Sequence, residues 1–204
     1  MVNEARSEPN PAMRLTADSA LQVDFVQGAD RISHTIAAIC ESREHGSRIV
    51  SLLQALDGNG DSNSDPWPAS PPLQSLSIES LDDIRRAALL VGMAGKSHWS
   101  ASIEEDHHTR SLVFDVACRV SQLPTFLGST YRLAAGVDVS TRATDGRNEV
   151  VLHAESRRLL LQAEPAGEFP PPGISVTRGM LQIGAERLPR PTIRWKYRMQ
   201  LLLP

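Results

Sequence analysis

The sequence predicts a mainly β fold, an antiparallel sandwich or barrel built from hairpins with one short α-helix. Three observations carry this expectation. Trp99, Ala101 and Ile103 alternate with His98, Ser100, Ser102 and Glu104, and Leu112, Phe114, Val116 and Cys118 alternate with Val113, Asp115, Ala117 and Arg119. Two period-two runs separated by the polar stretch 105–110 read as a hairpin with one buried face. Near the C-terminus, Ile193, Trp195, Tyr197, Met199 and Leu201 alternate with Arg194, Lys196, Arg198 and Gln200. Finally, hairpin signals outnumber helical ones, which disfavours a parallel βαβ arrangement.

Taken in order, residues 1–19 carry Pro9, Pro11 and scattered charges without periodicity, so they are expected to form a disordered or loosely docked arm. Residues 20–204 are expected to form a single β-rich domain. Leu21, Val23 and Phe25, then Ile32, His34, Ile36 and Ala38, alternate around the turn-like Gln27-Gly28-Ala29-Asp30, giving a first hairpin. Residues 49–56 also fit helical spacing, but dense β-branched residues and Gly46 favour a strand.

A long loop is expected over 57–76, where Trp67 and Leu73 pin a Pro-rich stretch back onto the domain. The helix is placed at residues 78–90: Ser77 or Ser80 can cap it, Asp82 and Asp83 suit its first turn, Ile78, Leu81, Ile84 and Ala88 share a face, and Gly92 and Gly95 end it. Further strands are expected over 127–133 and on both sides of Arg178-Gly179. Residues 148–163 fit either a tight hairpin about Glu155-Ser156-Arg157 or one helix.

Composition narrows function mainly by exclusion. The 204 residues carry a net charge of −3, which gives no pull toward nucleic acid or anionic membrane, and 4% aromatic content argues against stacking on bases or sugars. Cys40 and Cys118 lie in no metal or redox motif and read as two buried thiols in a reducing compartment. Residues 1–20 lack the apolar stretch of a signal peptide and no run reaches membrane-spanning length, so a soluble cytoplasmic protein is expected.

Gly95-Lys96-Ser97 with the downstream Asp115 imitates a phosphate-binding loop and its Mg²⁺ ligand. The first glycine of that spacing is missing, because position 90 is Leu90, and the residues after Ser97 alternate as a strand where a helix is required. Asp57, Asn59, Asp61 and Asn63 begin like a calcium loop, but Ser62 and Pro68 stand where glycine and the closing glutamate belong. His107 and His108 diverge on an extended backbone, and Glu104, Glu105 and Asp106 read as a solvated turn. The row Arg194, Lys196, Arg198 reads as protection on an edge strand.

What remains is the polar side of the 98–119 hairpin. With the turn centred between His107 and His108, Ser100 faces Asp115 and His98 lies diagonally from it. The expected function is a binding or interaction module that uses His98, Ser100, Asp115 and Arg119, with no cofactor and no metal. Its partner is a small molecule or a protein, and a homo-oligomer is compatible with the sequence. The alternative is a hydrolase built on His98, Ser100 and Asp115, the residue types of a base, a nucleophile and an orienting acid. Nucleotide binding ranks last. The hairpin also predicts that Trp99 and Phe114 are buried together.

Overall fold

Period-two alternation turns into strands along nearly the whole chain. The computed structural model describes residues 13–18, 20–42, 46–56, 65–144 and 147–202. Its strands are β1 (Arg14–Ala17), β2 (Leu21–Gln27), β3 (Ile32–Ser42), β4 (Gly46–Ala55), β5 (Leu73–Ser80), β6 (Arg86–Ala94), β7 (Ser97–Asp106) and β8 (Ser111–Arg119). They continue with β9 (Gly128–Leu133), β10 (Asp138–Thr144), β11 (Arg147–Ala154), β12 (Arg157–Glu164), β13 (Gly173–Thr177), β14 (Met180–Gly184) and β15 (Thr192–Leu202).

These strands form two open antiparallel sheets, ordered β1-β2-β3-β4-β9-β14-β13 and β10-β11-β12-β15-β8-β7-β6-β5. The architecture is therefore a sandwich and not a barrel. One apolar cluster fills the space between the sheets. Trp99 and Phe114 are both buried there. Trp99 packs edge-on against Trp195 at 6.0 Å, and Phe114 stacks on Tyr197 at 4.8 Å.

The helix expected over 78–90 is absent. Those residues belong to the β5–β6 hairpin, with Leu76 opposite Leu90 and Ile78 opposite Ala88. Leu81 and Ile84, needed on the apolar face of that helix, lie exposed in the turn. Asp82 Oδ1 accepts from the backbone N–H groups of Ile84 and Arg85, at 3.1 and 2.8 Å. An acid that can cap a helix can equally close a turn, and here the cross-strand apolar pairs decide. Gly92 and Gly95 therefore end no helix. Gly95, at φ +56°, and Lys96 form the two-residue loop between β6 and β7, so the Gly-Lys-Ser stretch is a hairpin connection.

Other segments resolve by the same logic. Residues 148–163 adopt the hairpin, with Val150 opposite Leu161 and Leu152 opposite Leu159. Arg178 and Gly179 both take positive φ, as a two-residue turn between β13 and β14 requires. Within the expected N-terminal arm, β1 pairs with β2 and buries Leu15 and Ala17; residues 1–12 lie outside the described residues. So do residues 57–64, with the suspected calcium loop. After that gap, the Pro-rich stretch is pinned as expected. Trp67 packs against Trp99, Leu73 is buried, and Ser70 Oγ donates to the Thr130 carbonyl while accepting from its N–H.

β15 lies inside its sheet, between β12 and β8, so its basic row does not guard an edge. Arg194 pairs with Asp115, Lys196 with Glu164, and Arg198 with Glu164 and Asp106. Both cysteines are free, but only Cys118 is fully buried; Cys40 is half-buried and accepts a 3.4 Å hydrogen bond from Arg157. Burial pushes the Cys118 thiol up to about 12, consistent with an inert core residue. Among the described residues no helix is long and apolar enough to cross a membrane.

Candidate functional site

The β7–β8 turn fixes where the polar side chains of the central hairpin fall. Asp106 Oδ1 accepts from the N–H groups of His108 and Thr109, at 3.0 and 3.2 Å, and Arg110 takes φ +53°. The result is a four-residue loop, 107–110, centred one residue later than the sequence suggests. Moving the centre by one residue moves every partner by two, so the faces are kept but the pairs change. His98 stands opposite Arg119, Ser100 opposite Ala117, and Asp115 opposite Ser102.

Three of the four expected site residues converge. His98, Ser100 and Arg119 line one groove of about 520 Å³ on the outward face of the second sheet, together with Val91, Met93 and Ala117. Such a volume falls within the range of small-molecule sites. Asp115 lies in the adjoining depression, of about 480 Å³, beside Ser100, Ala117 and Arg194. There Arg194 Nη2 donates to Asp115 Oδ2 at 2.7 Å. No hydrogen bond links His98, Ser100 and Asp115 among the described residues.

The groove has a local cause. A bulge between Leu73 and Ser75 interrupts the β5–β6 ladder, and Gln74 Oε1 turns back to accept from the Met93 N–H at 3.1 Å. The Pro72 backbone crosses so close to Gly92 that a Cβ there would overlap the Pro72 carbonyl oxygen. A bulge bends its strand, and here it raises one wall beside an otherwise flat sheet. Val91 and Met93 project outward next to that wall, 56% and 41% exposed.

Two other polar clusters escaped the sequence reading. At the turn end of the hairpin, Glu105 is buried and not solvated. Its carboxylate accepts from Arg86 at 2.9 and 3.1 Å, from His107 Nε2 at 3.2 Å and from the Thr16 N–H at 3.1 Å. His107 Nδ1 accepts from the Asp18 N–H at 3.0 Å, which leaves the ring proton on Nε2 for Glu105. Burial pushes the Glu105 carboxyl upward, but the hydrogen bonds from Arg86 and His107, with the Arg86 charge, outweigh it and hold it below the usual range.

Between the sheets, His34 Nε2 meets the Tyr131 hydroxyl at 3.0 Å, and that hydroxyl meets the Tyr197 hydroxyl at 2.6 Å. Burial lowers the His34 pKa to about 4 and raises both tyrosines. Strand parity was the available signal for both clusters. Glu105 continues the inward series Trp99, Ala101, Ile103, and His34 sits within Ile32, Ile36 and Ala38. A serine–histidine hydrogen bond also exists away from the groove, between Ser140 Oγ and His153 Nε2 at 2.8 Å, toward the β10 edge.

Fold and groove together define an antiparallel β-sandwich with an open depression on one sheet face. A comparison with known protein families finds none that matches this chain, and a comparison with curated proteins finds no match either.

Proposed function

We propose that the protein is a soluble binding module whose ligand occupies the outward groove formed by β5, β6, β7, β8 and β15. One observation carries this reading: His98, Ser100 and Arg119 share a single depression with the exposed Val91 and Met93. Convergent polar groups beside apolar surface are the usual makings of a ligand site. A hydrolase is less well supported. Asp115 is engaged by Arg194, and among the described residues it makes no hydrogen bond to His98 or Ser100, so base, nucleophile and orienting acid are not linked. A reducing compartment such as the cytoplasm suits two unpaired cysteines.

Filling the groove tests the proposal. Ala117→Trp places an indole on its floor. Ligand-observed NMR against a small-molecule library should find compounds that bind the native protein and lose saturation transfer with Ala117→Trp, at matched thermal stability. If every binder contacts the two proteins equally, the groove is not the site.

A further inference from the structure

Resting on that binding reading, we infer that the groove takes a small amphiphilic monoanion, a carboxylate-type group held by Arg119 and His98 with an apolar body lying over Met93 and Val91. Charge pairing across the sheet motivates this. On the outward face Arg194 pairs with Asp115, Lys196 with Glu164, and Arg198 with Glu164 and Asp106. Arg119 is exposed and has no ion pair among the described residues. Among the described residues no aspartate or glutamate lines the groove. A protein of net charge −3 therefore keeps a locally cationic depression, and an unpaired guanidinium beside apolar surface is complementary to an anion with an apolar tail.

Strand register supplies the dimensions. Met93, His98, Arg119 and Thr192 form one cross-strand row over β6, β7, β8 and β15. Ser75, Val91, Ser100 and Ala117 form the next row. Donors thus gather at the β7–β8–β15 end: the Arg119 guanidinium, the His98 imidazole and the Thr192 hydroxyl. The apolar end lies toward β5, where the Gln74 bulge closes it. From β8 to β6 is two strand spacings, about 10 Å. That length suits a chain of about eight carbons, so the fitting ligand is a medium-length organic acid.

Two dyes that share an apolar body but differ in charge separate the anion claim from the binding claim. Fluorescence titration of the full chain uses 1-anilinonaphthalene-8-sulfonate and its uncharged relative N-phenyl-1-naphthylamine. Arg119→Gln should weaken the sulfonate dye about tenfold, the size of an exposed charge-assisted contact, and change the neutral dye less than about twofold. His98→Gln should act in the same direction, and serves if the first variant folds poorly. Octanoate should displace the sulfonate dye at about a tenth of the concentration needed with octanol.

If Arg119→Gln and His98→Gln leave the sulfonate dye unaffected, or weaken both dyes alike, the anion claim is overturned. Ala117→Trp then tells the two claims apart. Loss of both dyes keeps the groove as a binding site, whereas retention of both overturns site and anion together.

Discussion

The polar groups between the sheets and those in the outward groove differ in how far their hydrogen bonding is met. Inside, His34, Tyr131 and Tyr197 complete one another, and Glu105 collects donors from Arg86, His107 and the Thr16 backbone. Outside, on β7 and β8, His98 and Arg119 face each other with no such partners among the described residues. A buried polar group without a partner costs about 1–3 kcal/mol, so pairing inside the sandwich is a condition of folding. In the groove water meets that need, and folding places no demand on those side chains. Saturated clusters thus explain how the fold holds together, while unsaturated ones beside apolar surface are where a ligand can gain. Trp99 Nε1, buried without a partner, is an exception inside the sandwich.

The largest effect that can break this contrast is the titration of His34. Its folded pKa, about 4, lies below the ordinary 6.5 because burial among Phe25, Phe114 and Tyr131 disfavours the cation. As pH falls from 6.5 toward 4 the unfolded chain takes up the proton while the folded protein does not. Stability from this group is therefore complete above about pH 6.5 and is lost by about pH 4, a change of about 3 kcal/mol. Urea unfolding from pH 7 to 4.5 should show that decline. His34→Gln, which keeps a partner for Tyr131, should flatten it, since the buried carboxylates act only at lower pH. An unchanged slope in the variant would refute the account of the core.

Glu105 comes next. Glu105→Ala leaves the Thr16 N–H and the His107 Nε2–H without their acceptor and removes the partner of Arg86. Arg86 and His107 are each about a third or more exposed, so water recovers part of the loss. The expected cost is about 2 kcal/mol, read as a lower urea midpoint with the m-value unchanged. Hydrogen exchange should localise the damage to β1 and the β7–β8 turn, because Glu105 accepts from the Thr16 backbone.

Much of this contrast was legible in the sequence, since strand parity is a strong signal wherever one face is buried. The alternations in 98–118 and 193–201 named the inward residues, among them Trp99, Phe114, Trp195 and Tyr197. Turn geometry was less legible. Asp106 bonding to His108 and Thr109 moved the β7–β8 pairing by two residues, which separated Asp115 from Ser100 and His98. At 78–90, residues able to cap a helix closed a hairpin instead, because Leu76 and Ile78 find partners only across the strands. The shape of the groove could not be read. It depends on a bulge at Gln74 and a close approach at Gly92, both of which require two distant segments to be placed together.

The smallest expected effect sharpens the comparison most. If the groove side chains are idle in folding, Arg119→Gln, His98→Gln and Ser100→Ala should each shift stability by less than about 0.5 kcal/mol, as substitutions at exposed sites without partners do. Ser100→Ala tests this without a change of charge, because Ser100 is exposed and faces only the apolar Val91 and Ala117 across its two ladders. Asp115, though a near neighbour, should behave differently. Its ion pair with Arg194 is partly shielded, and Asp115→Ala would leave the row Arg194, Lys196 and Arg198 with one less anion, at a cost of about 1 kcal/mol. Chemical unfolding of the four variants side by side would place the boundary between structural and available polar groups between Ser100 and Asp115. A loss at His98 or Arg119 as large as that at Asp115 would erase the boundary and return the groove to the scaffold.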